Sequence, residues 1–427
     1  MVHGVMADQT ARRTANLYQW YATFAEASFW VPVFFLYLAA YFPLDAVLLL
    51  EAFYFFGVVI IEVPSGWLSD RLGRRPTMLI GGVLMAVSHA LMFSGPWLAS
   101  GGSVGSGLFY LFAGALLLRA GGMAFRSGTD TALHYDALLA CGAESEFADR
   151  EARAARRRFY GAAIAALVGG LVALIDLRAP YLLSFGAAIG IIIVVWRMQE
   201  PSTHAEDRSQ ANLLRQLGAC FSQWRQGLLL LLFVYAAMMI VLNHIPYEYF
   251  QPYIETVLGA DGKAVAATPA IAGVHVAVTF WIAGWVGARS IRFRDRIGLW
   301  GVLLAAMLLQ TALIGLMWMW VSIPVMILLL LRSCPRALMT PPLNAAITGA
   351  VPTRVRATYL SMQSLAGRLS FSGTLVLLTL AVPLASKAEW PSIQIQIGLA
   401  ALAAIGCCIL IGSVWAIDQL RRRGEQC

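Results

Sequence analysis

About twelve apolar stretches, each near the length needed to cross a bilayer, recur along this chain with short polar connections between them. They lie near 17–42, 44–68, 77–97, 107–127, 159–176, 181–197, 227–249, 270–287, 298–319, 322–345, 365–384 and 393–417. A hydrocarbon core about 30 Å thick is crossed by a helix of roughly 20 residues. Twelve crossings take roughly 240 residues, which leaves no room in a chain of 427 for a sizeable soluble domain. Backbone groups in lipid have no water to bond with, so apolar runs of this length read as helices. The prediction is an all-α integral membrane protein. Only 13% of residues are charged, about half the share usual in soluble domains.

The charges that remain are unevenly placed. Segments before the first span and after every second span hold Arg12, Arg13, Arg71, Arg74, Arg75, Arg150, Arg153, Arg156, Arg157 and Arg158, and continue in this way to Arg421, Arg422 and Arg423. The opposite loops hold Arg178, Lys263 and Lys387. Basic loops stay in the cytoplasm, so both termini are expected there. The first residues, to Asn16, read as a cytoplasmic tail, because no small-residue cleavage site follows the first apolar run. A formal charge of +8 raises nucleic acid as a partner. These arginines flank spans and form no basic stripe with aromatics, so lipid is the expected partner and nucleic acid is not. Cys141, Cys220 and Cys427 fall on the cytoplasmic side, and Cys334, Cys407 and Cys408 in or near spans. No disulfide framework, metal-ligand spacing or cofactor motif follows from them.

The longest polar connection divides the chain into halves of six spans. The expected boundaries are 1–197 for an N-terminal six-helix bundle, 198–226 for a central linker and 227–427 for a C-terminal six-helix bundle. The halves echo each other. Gly66-Trp67 ends the second span and Gly284-Trp285 the eighth, while Leu116-Leu117-Leu118-Arg119 in the fourth matches Leu329-Leu330-Leu331-Arg332 in the tenth. A duplicated six-helix unit explains both matches.

The loop Gly66-Trp67-Leu68-Ser69-Asp70-Arg71-Leu72-Gly73-Arg74-Arg75 resembles the loop motif of the major facilitator superfamily, at the place where that family carries it. Arg119-Ala120-Gly121-Gly122 is similar to the family's span-four arginine with following glycines. Glu62-Val63-Pro64-Ser65-Gly66 and the stretch from Ser127 and Asp130 to Tyr135-Asp136 resemble bacterial members. In the second half Ala288 stands where the loop's acid belongs, so locking should be led by the N-terminal half. The resemblance implies twelve helices in two six-helix bundles, rocking about a central cavity in the bacterial inner membrane. It also implies a monomer that takes no cofactor and draws on a proton or other ion gradient.

Residues inside spans narrow the site. Charges there cost at least ~2.5–3.5 kcal/mol each, so each calls for a partner or a function. Gly66, Asp70, Arg71, Gly73 and Arg74, with Asp130 as the partner of Arg74, are expected to form a conformational lock in a tight turn. Glu51, Phe55, Val58 and Glu62 share one face of the second span, and Arg119, Gly122, Arg126 and Asp130 one face of the fourth. Glu62 and Arg126 should then lie at one depth and pair. Glu62 leads as the proton-coupling carboxylate, followed by Glu26, with Arg119 and Arg126 as charge partners. Glu26, Trp30 and Tyr37 share a face of the first span, and with Glu51 they are candidates for the cavity lining. His244, Tyr247, Glu248 and Tyr249, beside Pro246 and Pro252, are candidates for an outer gate or substrate surface where the prolines break span seven. Residues 140–158, with alternating charges, are expected to form a surface helix. No Ser/His/Asp cluster, zinc motif or phosphate loop appears, which leaves a membrane enzyme as a remote alternative. The expected function is secondary active transport of a small organic molecule, proton-coupled. Export of a drug-like or amphipathic metabolite comes first, and uptake of a metabolite or siderophore-like compound is the alternative.

Overall fold

A computed structural model describes residues 2–98, 104–200, 218, 220–259, 265–380 and 390–424. Among them every predicted span lies in helix, and no strand occurs. The first half holds α1 (Val2–Ala25), α2 (Phe34–Ala39), α3 (Leu44–Leu72), α4 (Arg74–Leu98), α5 (Val104–Arg126), α6 (Thr129–Ala140), α7 (Phe147–Val172) and α8 (Ala179–Arg197). The second holds α9 (Gly227–Gly259), α10 (Thr268–Gly287), α11 (Ser290–Met319), α12 (Ile323–Leu328), α13 (Cys334–Ala350), α14 (Thr353–Thr379) and α15 (Trp390–Gly424). Nine spans among the described residues are long and apolar enough to cross a membrane. The other three predicted spans fall on α1 with α2, on α7 and on α14. The first is interrupted, α7 opens on a run of arginines and α14 carries Arg368, Gln363 and several serines.

The chain clusters into two compact units. One comprises Met1–Phe42, Leu49–Gln210 and Pro269–Ala277, and the other Pro43–Leu48, Ala211–Thr268 and Val278–Cys427. They are called the N-terminal and C-terminal units below. In the first, α4 packs against α5 and α8, and α1 against α6, α7 and α8. In the second, α11 packs against α13 and α15, and α9 against α14. Most of the predicted linker, 201–217 and 219, lies outside the described residues.

Four helix interruptions shape the sites, and two differ from the sequence expectation. The first span is no continuous helix: it is broken over 26–33, where Pro32 removes an N–H and disfavours helix at Val31. Helical spacing therefore does not relate Glu26, Trp30 and Tyr37. Span four ends at Ser127 and Gly128 (φ +73°), so Asp130 belongs to α6 and shares no helical face with Arg119. The predicted surface helix over 140–158 is also corrected, because from Phe147 onward those residues are the first turns of α7.

The prolines of span seven do not break it. α9 runs through Pro246 and Pro252, and the Leu242 carbonyl that Pro246 leaves without its helical N–H accepts instead from the Gln310 amide of α11, at 2.9 Å. Span ten does break, but ahead of Pro341 and Pro342. A 3-10 turn at Leu329–Leu331 separates α12 from α13 and places Arg332 in the gap.

Candidate functional site

The deepest charges of the N-terminal unit meet at Arg119. Its helix α5 is leucine-rich around it, so the guanidinium has no route to either headgroup layer and must be housed inside. The break after α1 swings Trp30 over one face of the guanidinium, with Cζ 4.1 Å from the ring centroid. Tyr54 of α3 covers the other face at 4.2 Å. Glu51, one turn before Tyr54, brings Oε1 to 3.9 Å from Nη2. Arg119 and Glu51 are each 4% exposed. At 3.9 Å the pair attracts without a hydrogen bond, and Glu51 Oε1, Arg119 Nε and Trp30 Nε1 are all buried with no hydrogen-bond partner. Unmade bonds at this depth are costly. The arrangement is a caged ion pair held apart, which a small motion closes or a proton neutralises.

Around this cage lie His89 and Tyr181, 6.4 Å between ring centroids, with Trp30 stacked on Tyr181 at 6.5 Å. His89 Nδ1 and Ser88 Oγ of α4 are buried without hydrogen-bond partners. Tyr37 lies 4.7 Å from Tyr181, yet its hydroxyl donates to the Met92 carbonyl and it is fully buried. It ties α2 to α4 and does not line open space.

The sequence expectation paired Glu62 with Arg126 and Arg74 with Asp130. Neither pairing forms. Arg126 donates to the Ala25 carbonyl at 3.3 Å and lies 3.1 Å from Met85 Sδ, while Glu62 accepts from the Ser127 hydroxyl at 3.4 Å. The break at Gly128 takes Asp130 to Arg158, 2.9 Å away, and Arg158 also donates to the Tyr18 hydroxyl. Arg74 meets Asp136 at 2.7 Å. Glu26 is exposed in the break.

Gly66 and Gly73 do not share a turn. Gly66 is inside α3, whereas Gly73 alone turns the chain, with φ +96°. A Cβ there would sit 2.5 Å from the Glu200 carboxylate, which accepts from the N–H groups of Arg74 and Arg75 at 2.7 and 3.3 Å. A carboxylate at these free amides is well placed for the helix dipole of α4. Arg75 reaches the carbonyls of Val195 and Trp196 at the end of α8. The loop is thus fastened to α6 and α8. Arg71 is exposed, and the Asp70 side chain lies outside the described residues. Beside this lock His134 and Glu151 are 2.6 Å apart. Burial pushes the Glu151 carboxyl up, and the bond and charge of His134 more than offset it, holding it below the usual range. Sequence reasoning missed Asp136, Arg158 and Glu200 as lock partners. Tyr135-Asp136 had stood out by resemblance alone, and helical spacing cannot connect α3 to α6.

The C-terminal unit repeats the caged arginine in a second form. Arg332, 3% exposed, sits over the Phe250 ring at 4.2 Å and donates to Thr279 at 2.8 Å. Among the gate candidates Tyr249 is fully buried, its hydroxyl donating to Gln396 at 2.5 Å, so it joins α9 to α15. Glu248 is 1% exposed. His244 Nδ1 donates to the Ile240 carbonyl, and Tyr247 lies 6.2 Å from His244 between ring centroids. The most open groove, about 610 Å³ between α3, α4 and α5, is lined by Ile61, Leu84, Leu117 and Phe125 among others. It carries no charged side chain and touches neither Glu51 nor Arg119, so lipid suits it better than a polar solute.

The family profile of the Major Facilitator Superfamily matches residues 159–375, more than half of the chain. The chain belongs to the major facilitator superfamily. Solved members share its fold at low identity. A mutant of the nucleoside transporter NupG is similar with a TM-score of 0.74, 12% identity, and coverage of 93% of this chain and 99% of that one. A D-xylose-proton symporter gives 0.64, 14% identity, and 92% and 96%. An auto-inhibited peptide transporter of the POT family gives 0.68, 13% identity, and 95% and 96%. No curated protein sequence matches the chain. The loop from Gly66 to Arg75, where the resemblance began, lies before the matched region, so the two lines of evidence are independent.

Proposed function

We propose that this superfamily transporter is proton-coupled and moves a small organic solute by alternating access, with Glu51 and Arg119 as the coupling pair. The observation that carries this reading is the buried carboxylate 3.9 Å from a buried guanidinium, with hydrogen-bonding atoms of both left unused. Burial favours the neutral acid and a close guanidinium favours the carboxylate, so the distance to Arg119 decides whether Glu51 holds a proton. Rocking of the helices that changes this distance alternately loads and releases the proton. Glu51 takes precedence over Glu62 and Glu26 because those two reach a hydroxyl or solvent, and a wet carboxylate changes its proton affinity little.

Export of an amphipathic solute is the first reading, supported by the aromatic walls around Arg119. Uptake is the second, supported by the likeness to a D-xylose-proton symporter. Purified protein in liposomes tests both. Flux of candidate solutes driven by a pH gradient is expected, and the gradient orientation that drives accumulation gives the direction. Flux that ignores the gradient in both orientations defeats proton coupling.

The arginine distribution supports placement in a bacterial inner membrane with both termini cytoplasmic. A reporter active only outside the cytoplasm is expected to be silent after Cys427 and active when inserted beside Lys263. The reverse pattern would overturn that orientation.

A further inference from the structure

Along its spans, away from the helix ends, the C-terminal unit carries more cation than acid. Among the described residues, Arg332 and Arg336 lie within the span Ile323–Ile347, and Arg368 lies fifteen residues into α14. The acids of the same helices are Glu248 and, towards helix ends, Glu255 and Asp295, the last in a pair with Arg294. Three mid-span arginines against one mid-span glutamate is an expensive excess in a bilayer.

These arginines converge on one aromatic strip. Phe250 lies under Arg332, Tyr247 is 6.3 Å from Phe250, His244 is 6.2 Å from Tyr247, and Phe371 of α14 is 4.5 Å from His244. Arg336 follows Arg332 by four residues, and Arg368 precedes Phe371 by three, so each shares a face with a residue on the strip. Arg336 and Arg368 act electrostatically on His244 and on each other. Arg336 is nonetheless exposed. At mid-span an exposed arginine that faces other charges, and not lipid, faces water or a ligand.

We propose that this strip binds the carboxylate of a small aromatic acid, with the anion between Arg336 and Arg368 and its ring along His244, Tyr247 and Phe250. The inference rests on the transporter reading and names the substrate class it moves. A planar guanidinium matches a carboxylate through two parallel bonds, and an anion between like charges removes their repulsion. The aromatic faces supply stacking that a small aliphatic acid would forgo.

The test is calorimetric binding of benzoate, 2-naphthoate and their amides to the full chain in detergent. At least one acid is expected to bind about 10- to 100-fold more tightly than its amide, since hydrogen bonds to charged groups gain that much. Arg336→Gln and Arg368→Gln should each remove the preference, and Arg336→Lys should keep part of it. Arg336, being exposed, is the position where substitution disturbs packing least, and an unchanged melting temperature without ligand verifies its folding. Equal binding of acids and amides, or an undiminished preference in folded Arg336→Gln, overturns the inference even if the protein transports. A preference for the acid without any flux in liposomes upholds the binding strip and overturns transport.

Discussion

Glu51→Gln is expected to abolish solute accumulation under an imposed pH gradient, while exchange of labelled for unlabelled solute continues. The amide has nearly the shape of the acid but cannot ionise, so it imitates the loaded state permanently. In the wild type the carboxylate pays a burial cost that Arg119 relieves. Removing the negative charge leaves Arg119 with its two aromatic faces and no acid at 3.9 Å, which the cage tolerates because cation–π contacts remain. Accumulation ratios should therefore fall to one without loss of folded protein. Glu62→Gln and Glu26→Gln should accumulate normally. If Glu51→Gln accumulates like the wild type and Glu62→Gln does not, coupling resides near Ser127, as the sequence alone suggested, and the caged pair is structural.

The second large effect is expected at the loop after α3. Arg74→Ala or Asp136→Asn removes an ion pair of 2.7 Å whose side chains are 20% and 15% exposed. A lock that biases two transport states by ~1–3 kcal/mol shifts their populations about 5- to 150-fold when lost. Transport should drop while membrane insertion stays intact, and cysteine probes placed on either face should change accessibility in opposite senses. Exchanging the charges, Arg74→Asp with Asp136→Arg, should restore part of the activity if the pair acts directly. Unaltered transport and accessibility in both single variants would remove the lock from the mechanism.

Much of this protein was legible before any fold was known. Apolar run length dictates helix in lipid, because the backbone has no other partner there, so the all-α membrane fold followed from twelve runs. The duplicated Leu-Leu-Leu-Arg segments anticipated that Arg119 and Arg332 would be treated alike, and each does lie on an aromatic ring. Burial cost alone marked Glu51 and Arg119 for attention. Which charges meet was not legible. Helical spacing is reliable only while the helix continues, and it fails at 26–33 and at Gly128, where the chain leaves helical geometry. Those two breaks carry Trp30 onto Arg119 and Asp130 onto Arg158. The prolines of α9 misled for the opposite reason: a carbonyl freed by Pro246 breaks a helix only when nothing else bonds it, and Gln310, 64 positions further along the chain, does. Local sequence thus determined what each segment is, and the tertiary fold decided the partners, because a partner across helices is chosen by the path of the whole chain.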